Sequence, residues 1–213
     1  TRLGSSPVAQ DGVSKFRRTI QPWSDRSIKN RLLVNNDLPG RLAQLQGYRW
    51  TVCNVSCPEL LQRVLAGTRS PLATAISSDR AALAQHLSEA IKALHWKDFE
   101  TLADLVFRHA GWVRVSVLGQ HAHAYDLELR EPITGDRYVV QVKSRAGLAD
   151  LKATVSKFSP EDFKRVFFVV HTPAKDLALP SEIPEHVQVV PPDRLAKLAI
   201  DAGLVEWLED KVA

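Results

Sequence analysis

The sequence holds no apolar run approaching the roughly 18 residues that a membrane-spanning helix needs. Its opening residues, TRLGSSPVAQDG, lack the apolar stretch of a secretory signal. Together these absences point to a cytoplasmic location and to no membrane partner. Cysteine is equally scarce, with Cys53 and Cys57 the only two in 213 residues. A structural zinc site takes four ligands, and no second Cys or His pair stands at a suitable spacing. Two ordinary thiols are the reading that remains. Asn54-Val55-Ser56 matches the glycosylation triplet, which carries no meaning without a secretory signal. No internal repeat is visible.

What is present is an ordinary globular composition, 45% hydrophobic and 24% charged. The net charge of +4 says little, but its distribution says more. Residues 1–50 carry nine Lys or Arg against three acids, whereas the last 33 residues carry seven acids against three bases. A basic N-terminal part, Arg17 and Arg18 within it, suits a polyanionic partner such as nucleic acid. A basic but merely solvated surface is the plainer alternative. The chain divides, on this reading, into a basic N-terminal extension or small domain (1–75) and an α/β domain (76–213).

Periodicity supplies the elements of the second part. A short strand is expected over Tyr48–Val55, a helix from Pro58 and a connector over Ala66–Ile76. Ser77-Ser78-Asp79 can cap a helix reaching about Leu94, and a second helix runs from His95 to His109 with Phe99, Leu102 and Val106 on one stripe. Gly111 is a natural stop. Trp112–Leu118, Ala124–Arg130 and Arg137–Ser144 alternate as strands, the last two joined by a Pro132–Asp136 turn. A helix over Leu148–Phe158 precedes the continuous apolar run Arg165–His171, the mark of a strand covered on both faces. One more strand, His186–Val190, and helices over Asp193–Ala202 and Val205–Val212 complete an α/β/α sandwich on a mixed sheet.

One strand is oddly polar. In RYVVQVKSRA (Arg137–Ala146), Gln141 and Lys143 lie two apart and share a face. A solvent-facing strand would explain them, and so would an active site. Folding the hairpin about Ile133–Gly135 puts Asp126 close to Val142, beside Gln141 and Lys143. A hard cation such as Mg²⁺ takes oxygen ligands. Asp126 offers a carboxylate, Gln141 an amide oxygen and Val142 a backbone carbonyl, while Lys143 adds positive charge for an anionic transition state. Glu100, at the edge of the Phe99 stripe, is a further carboxylate able to reach the hairpin.

Phe99-Glu100 opening a helix, Asp126 in one strand and Gln141-Val142-Lys143 in the next resemble the PD-(D/E)XK nuclease superfamily, also called restriction-endonuclease-like. The Gln-x-Lys form is similar to the catalytic domain of Mrr-like restriction endonucleases. The resemblance covers about residues 90–175. It implies a Mg²⁺- or Mn²⁺-dependent endonuclease acting on DNA. Asp126 and Gln141 would be metal-site residues, Lys143 the catalytic lysine and Glu100 the helix acid. The chain departs from the family in having Tyr125, not Pro, before Asp126, and Gly119-Gln-His-Ala-His-Ala-Tyr in place of a glycine-rich approach. His121 and His123 in that loop, with Ser144, Arg145 and Lys152 after the motif, are candidates for contacting nucleic acid, and Lys157, Lys164 and Arg165 extend the basic rim. A homodimer or a partner protein is compatible with this reading. The alternatives are a nuclease fold retained only for binding nucleic acid or protein, and a toxin or effector nuclease.

Overall fold

The computed structural model describes residues 8–9, 15–16, 22, 24–48, 54–115, 125–158, 161–178 and 183–213. Two compact units, Thr1–Ser77 and Ser78–Ala213, are taken in turn.

In the first unit, β1 (Val8–Ala9) pairs antiparallel with β2 (Lys15–Phe16). A 3-10 turn at Asn35–Asp37 is followed by the short α1 (Gly40–Ala43). α2 (Pro58–Ala66) starts with proline at its first position, where the missing N–H costs nothing, and ends at Gly67 in the left-handed region, φ 66°. The strand expected over Tyr48–Val55 falls largely outside the described residues. The connector expected over Ala66–Ile76 does not exist as such, because α3 (Pro71–Ala93) starts five residues before that stretch ends. Ser70 Oγ accepts from Ala73 N at 3.1 Å, so Ser70 and Pro71 start the helix rather than Ser77–Asp79. Leu72 and Ile76 remain exposed there, so no buried stripe marks the first turns.

The second unit is built on a five-stranded sheet in the order β3-β4-β5-β6-β7. β3 (Val113–Arg114), β4 (Leu127–Arg130) and β5 (Arg137–Ala146) form an antiparallel meander, and β6 (Arg165–Pro173) and β7 (Val187–Val190) continue parallel to β5. α4 (Trp96–His109) buries Phe99, Leu102, Ala103, Val106 and Phe107, which recur at helical spacing along one stripe. His95 caps it, and Gly111 takes the positive φ of 87° that lets the chain turn away. With α3, α6 (Pro192–Asp201) and α7 (Val205–Val212), α4 covers the sheet face that carries Leu127, Leu129, Val140, Val142, Phe167 and Val169. On the other face Val139, Val166, Phe168 and Val170 pack beneath α5 (Leu148–Val155), Phe158 and Phe163. The result is the expected mixed α/β/α sandwich, with β5 and β6 buried on both faces.

Candidate active site

The β4–β5 hairpin positions the site. Its turn is closed by Glu131 N donating to Asp136 O at 2.9 Å and Gly135 N donating to Glu131 O at 3.0 Å, with Gly135 at φ 77°. The Glu131 carboxylate accepts from the backbone N–H groups of Ile133 and Thr134. Leu127 stands opposite Val140 and Arg130 opposite Arg137. Extending that register sets Asp126 opposite Gln141, one residue from the Val142 level that turn position alone suggests.

Gln141 is the feature that needs explaining, because it is buried in the middle of a strand otherwise lined by valine. A buried amide without a partner costs several kcal/mol, of order 2–7. Its Nε2 donates to Asp126 Oδ2, and the Val142 backbone N donates to the same oxygen at 2.6 Å. Asp126 therefore sits in the bend just before β4 and takes the place of a ladder partner for Val142. Within a strand, one residue's N–H and C=O point the same way. The Val142 carbonyl consequently faces the side where β4 has not yet begun.

Electrostatics follow from this placement. Asp126 is exposed as a residue, but its carboxyl group lies against the hairpin, and that desolvation raises its pKa. The Val142 N–H and then the Lys143 charge act in the opposite direction without overcoming it. Lys143 is half-buried on the same face as Gln141. It forms no ion pair or hydrogen bond among the described residues.

Glu100 is exposed near the start of α4, just past its first turn. Its neighbour Phe99 meets the His171 ring edge-on, centroids 4.9 Å apart, just beyond the Val170 that pairs with Lys143. The first turn of α4 thus lies near the level of Lys143, but against the Val140–Val142 face. Hydrogen bonds join Asp126, Gln141 and Val142, whereas Glu100 belongs to the helix packed on the opposite face of the sheet. Ser144 and Arg145 are exposed at the end of β5, and Lys152 is exposed on α5. Lys157 and Arg165 are exposed as well, and Lys164 pairs with Asp136. His121, His123, Arg17 and Arg18 lie outside the described residues.

A cluster next to the site was not anticipated. Glu128, buried on the Gln141 face, accepts from the Tyr125 hydroxyl and from Arg137 at 2.7 Å. Tyr125 also lies between Phe158 and Phe163, each ring 6.1 Å away. These contacts pin the bend that carries Asp126, a task that proline's fixed φ performs by covalent means. The alternation in AYDLELR, with Asp126 and Glu128 on one face, was the available signal.

Among the described residues no three His, Cys, Asp or Glu side chains are grouped to hold a metal ion. The donor set here is a mixed one: one carboxylate, an amide oxygen and a backbone carbonyl, all hard oxygen ligands. Asp126 Oδ1 accepts no hydrogen bond among the described residues. The last Gln141 torsion has broad, roughly two-fold wells, so a half-turn presents its oxygen instead of its nitrogen to Asp126. The residues therefore fit a divalent cation.

No curated protein and no solved structure matches the chain. A family model described as a restriction endonuclease, of the Mrr catalytic type, matches residues 91–198, just over half of the sequence. That span runs from the end of α3 to α6 and takes in the whole five-stranded sheet, the hairpin and the Asp126–Gln141–Lys143 constellation. The chain belongs to the Mrr-type restriction endonuclease family and carries a nuclease domain of that kind.

Proposed function

We propose that this protein is a divalent-metal-dependent endonuclease that hydrolyses phosphodiester bonds in DNA. The observation that carries the reading is Asp126 Oδ2, which accepts at once from the Gln141 side chain and the Val142 backbone, one residue before Lys143. Asp126, the Gln141 amide oxygen and the Val142 carbonyl would hold Mg²⁺ or Mn²⁺, with Glu100 as a further carboxylate ligand. When bound, the ion supplies Lewis-acid polarisation of the scissile phosphate and acidifies the attacking water.

The chain's own side chains do the rest. Asp126 stays ionised once a cation offsets its desolvation, and Val142 N–H fixes its orientation. Lys143 places a cation where negative charge grows on the phosphoryl oxygens as water attacks in line with the departing oxygen. Among the described residues it forms no ion pair, so no salt bridge has to break for it to meet that charge. Ser144, Arg145 and Lys152 extend the positive rim along which a phosphate backbone can lie. His121, His123, Arg17 and Arg18 are proposed as additional backbone contacts, and the protein is proposed to act in the cytoplasm.

The test is incubation of the purified protein with supercoiled, linear and single-stranded DNA and with RNA, in Mg²⁺, Mn²⁺ or EDTA. Cleavage of DNA that requires the metal is the expected result. A second reading, a nuclease fold kept for binding alone, draws on the absence of a multi-carboxylate cluster among the described residues. DNA binding in EDTA without nicking in any divalent metal would decide for it.

A further inference from the structure

The first unit holds a cavity of about 390 Å³ that the nuclease reading does not use. One wall is a tight turn in which Ser27 N donates to Arg31 O at 2.8 Å and Arg31 N donates to Ser27 Oγ at 3.1 Å. Ile28 N donates to Leu65 O at 2.8 Å and so ties the turn to the end of α2. Gly67 permits the close seating: a Cβ there would lie 2.9 Å from Ser27 Oγ and 3.1 Å from Lys29 Cβ. The cavity between the segment at 31–39 and α2 is thus built by specific contacts.

Its lining is two-sided. Leu38, Leu60 and Val64 are among its apolar lining residues, and Arg31, Arg63 and Arg69 are the cationic ones. Among the described residues no carboxylate pairs with any of the three. Arg69 donates to the Ser77 hydroxyl at 2.7 Å, while among the described residues the side chains of Arg31 and Arg63 form no hydrogen bond. Asp37 is the one acid in the lining. Three cations gathered around one cavity repel one another unless an anion joins them. Guanidinium groups match phosphate oxygens in bidentate geometry, and the apolar wall suits a flat, weakly polar body. The volume falls in the range of small-ligand pockets, roughly 300–1,000 Å³.

We propose that this cavity binds a nucleotide through its terminal phosphate, with the base against the leucine and valine wall. The nucleotide is either a free mononucleotide or the 5′-phosphorylated end of a nucleic acid. Choosing a nucleotide among phosphate-bearing amphiphiles rests on the nuclease reading, but binding itself requires neither Asp126 nor a metal.

The full chain is titrated calorimetrically in EDTA with AMP, inorganic phosphate, a 5′-phosphorylated deoxyadenosine trinucleotide and the same trinucleotide lacking the phosphate. Saturable binding of a phosphorylated nucleotide is expected, at least about tenfold tighter than the unphosphorylated trinucleotide or phosphate alone. AMP binding as tightly as the trinucleotide assigns the site to free nucleotides, and a tighter trinucleotide assigns it to chain ends. Arg31→Ala and Arg63→Ala should each weaken binding at least about tenfold, as should the charge-conserving Arg63→Lys, which guards against a folding defect. Arg41→Ala, exposed and outside the cavity, should change nothing. Failure of every nucleotide to bind, indifference to the terminal phosphate, or wild-type affinity in both alanine variants overturns the proposal. Asp126→Ala should bind normally. Loss of cavity binding alongside intact metal-dependent cleavage would reject this site and leave the nuclease reading standing.

Discussion

Asp126 and Gln141 are matched to each other at a cost to stability. Because desolvation raises the Asp126 pKa, the folded chain disfavours its ionised form relative to the unfolded chain. Stability contributed by this group is therefore full below the unfolded pKa and is lost as pH rises through the folded value. In EDTA, Asp126→Asn removes that loss while keeping an oxygen to accept from Val142 N. Denaturant midpoints measured from pH 3 to 8 should show the variant at least as stable as wild type at neutral pH. The gain should stay below about 1 kcal/mol, since the carboxyl is only partly removed from solvent and its interactions are screened. A variant clearly less stable at neutral pH would contradict this account. Gln141→Glu reverses the logic by setting two carboxylates side by side. The metal-free Tm should fall at neutral pH, and Mn²⁺ should raise it more than it raises that of wild type. Equal Mn²⁺ shifts in both proteins would separate Gln141 from the metal site.

The elements around this pair show what a single sequence displays and what it hides. The α4 stripe, the turn at Gly135 and the doubly covered β6 were legible because burial imposes a period on side chains: Phe99, Leu102 and Val106 on one helix face, Val166 through Val170 on both strand faces. The start of α3 was not, because Leu72 and Ile76 are exposed and print no such period. Pairing Asp126 with Gln141 was legible to within one residue, since a hairpin of known turn leaves little freedom. The Tyr125–Glu128–Arg137 cluster was hidden, because a buried acid and an exposed one look alike until the partner strand is placed. Its weight can be measured. Tyr125→Phe deletes the hydroxyl that holds Glu128 and should destabilise the fold by about 1 kcal/mol. If the cluster positions Asp126, kcat should also fall at little-changed KM. Unchanged kcat would reduce Tyr125 to a packing residue. Phe99→Ala, which opens a cavity against β5 and β6, should cost about 3–5 kcal/mol in urea unfolding.

At the level of the whole chain, chemistry and charge are divided unevenly. The sheet places Gln141, Val142 and Lys143 along the middle of β5, with Asp126 just before β4, whereas the excess of Lys and Arg falls in residues 1–50. If that basic part grips the phosphate backbone, neutralising it should weaken DNA binding without touching the chemical step. Arg17→Glu with Arg18→Glu should lower affinity about tenfold or more and flatten the slope of log K against log salt by about 2. Single-turnover cleavage at saturating protein should be unchanged. A lower single-turnover rate would place these arginines in the chemistry instead. The most direct test remains the site itself: metal-dependent cleavage of DNA by Asp126→Ala and Lys143→Ala, each first shown to unfold cooperatively like wild type. The expected result is loss of cleavage in both by about 10²-fold or more, in Mg²⁺ and in Mn²⁺ alike. Wild-type cleavage in both folded variants would contradict the assignment.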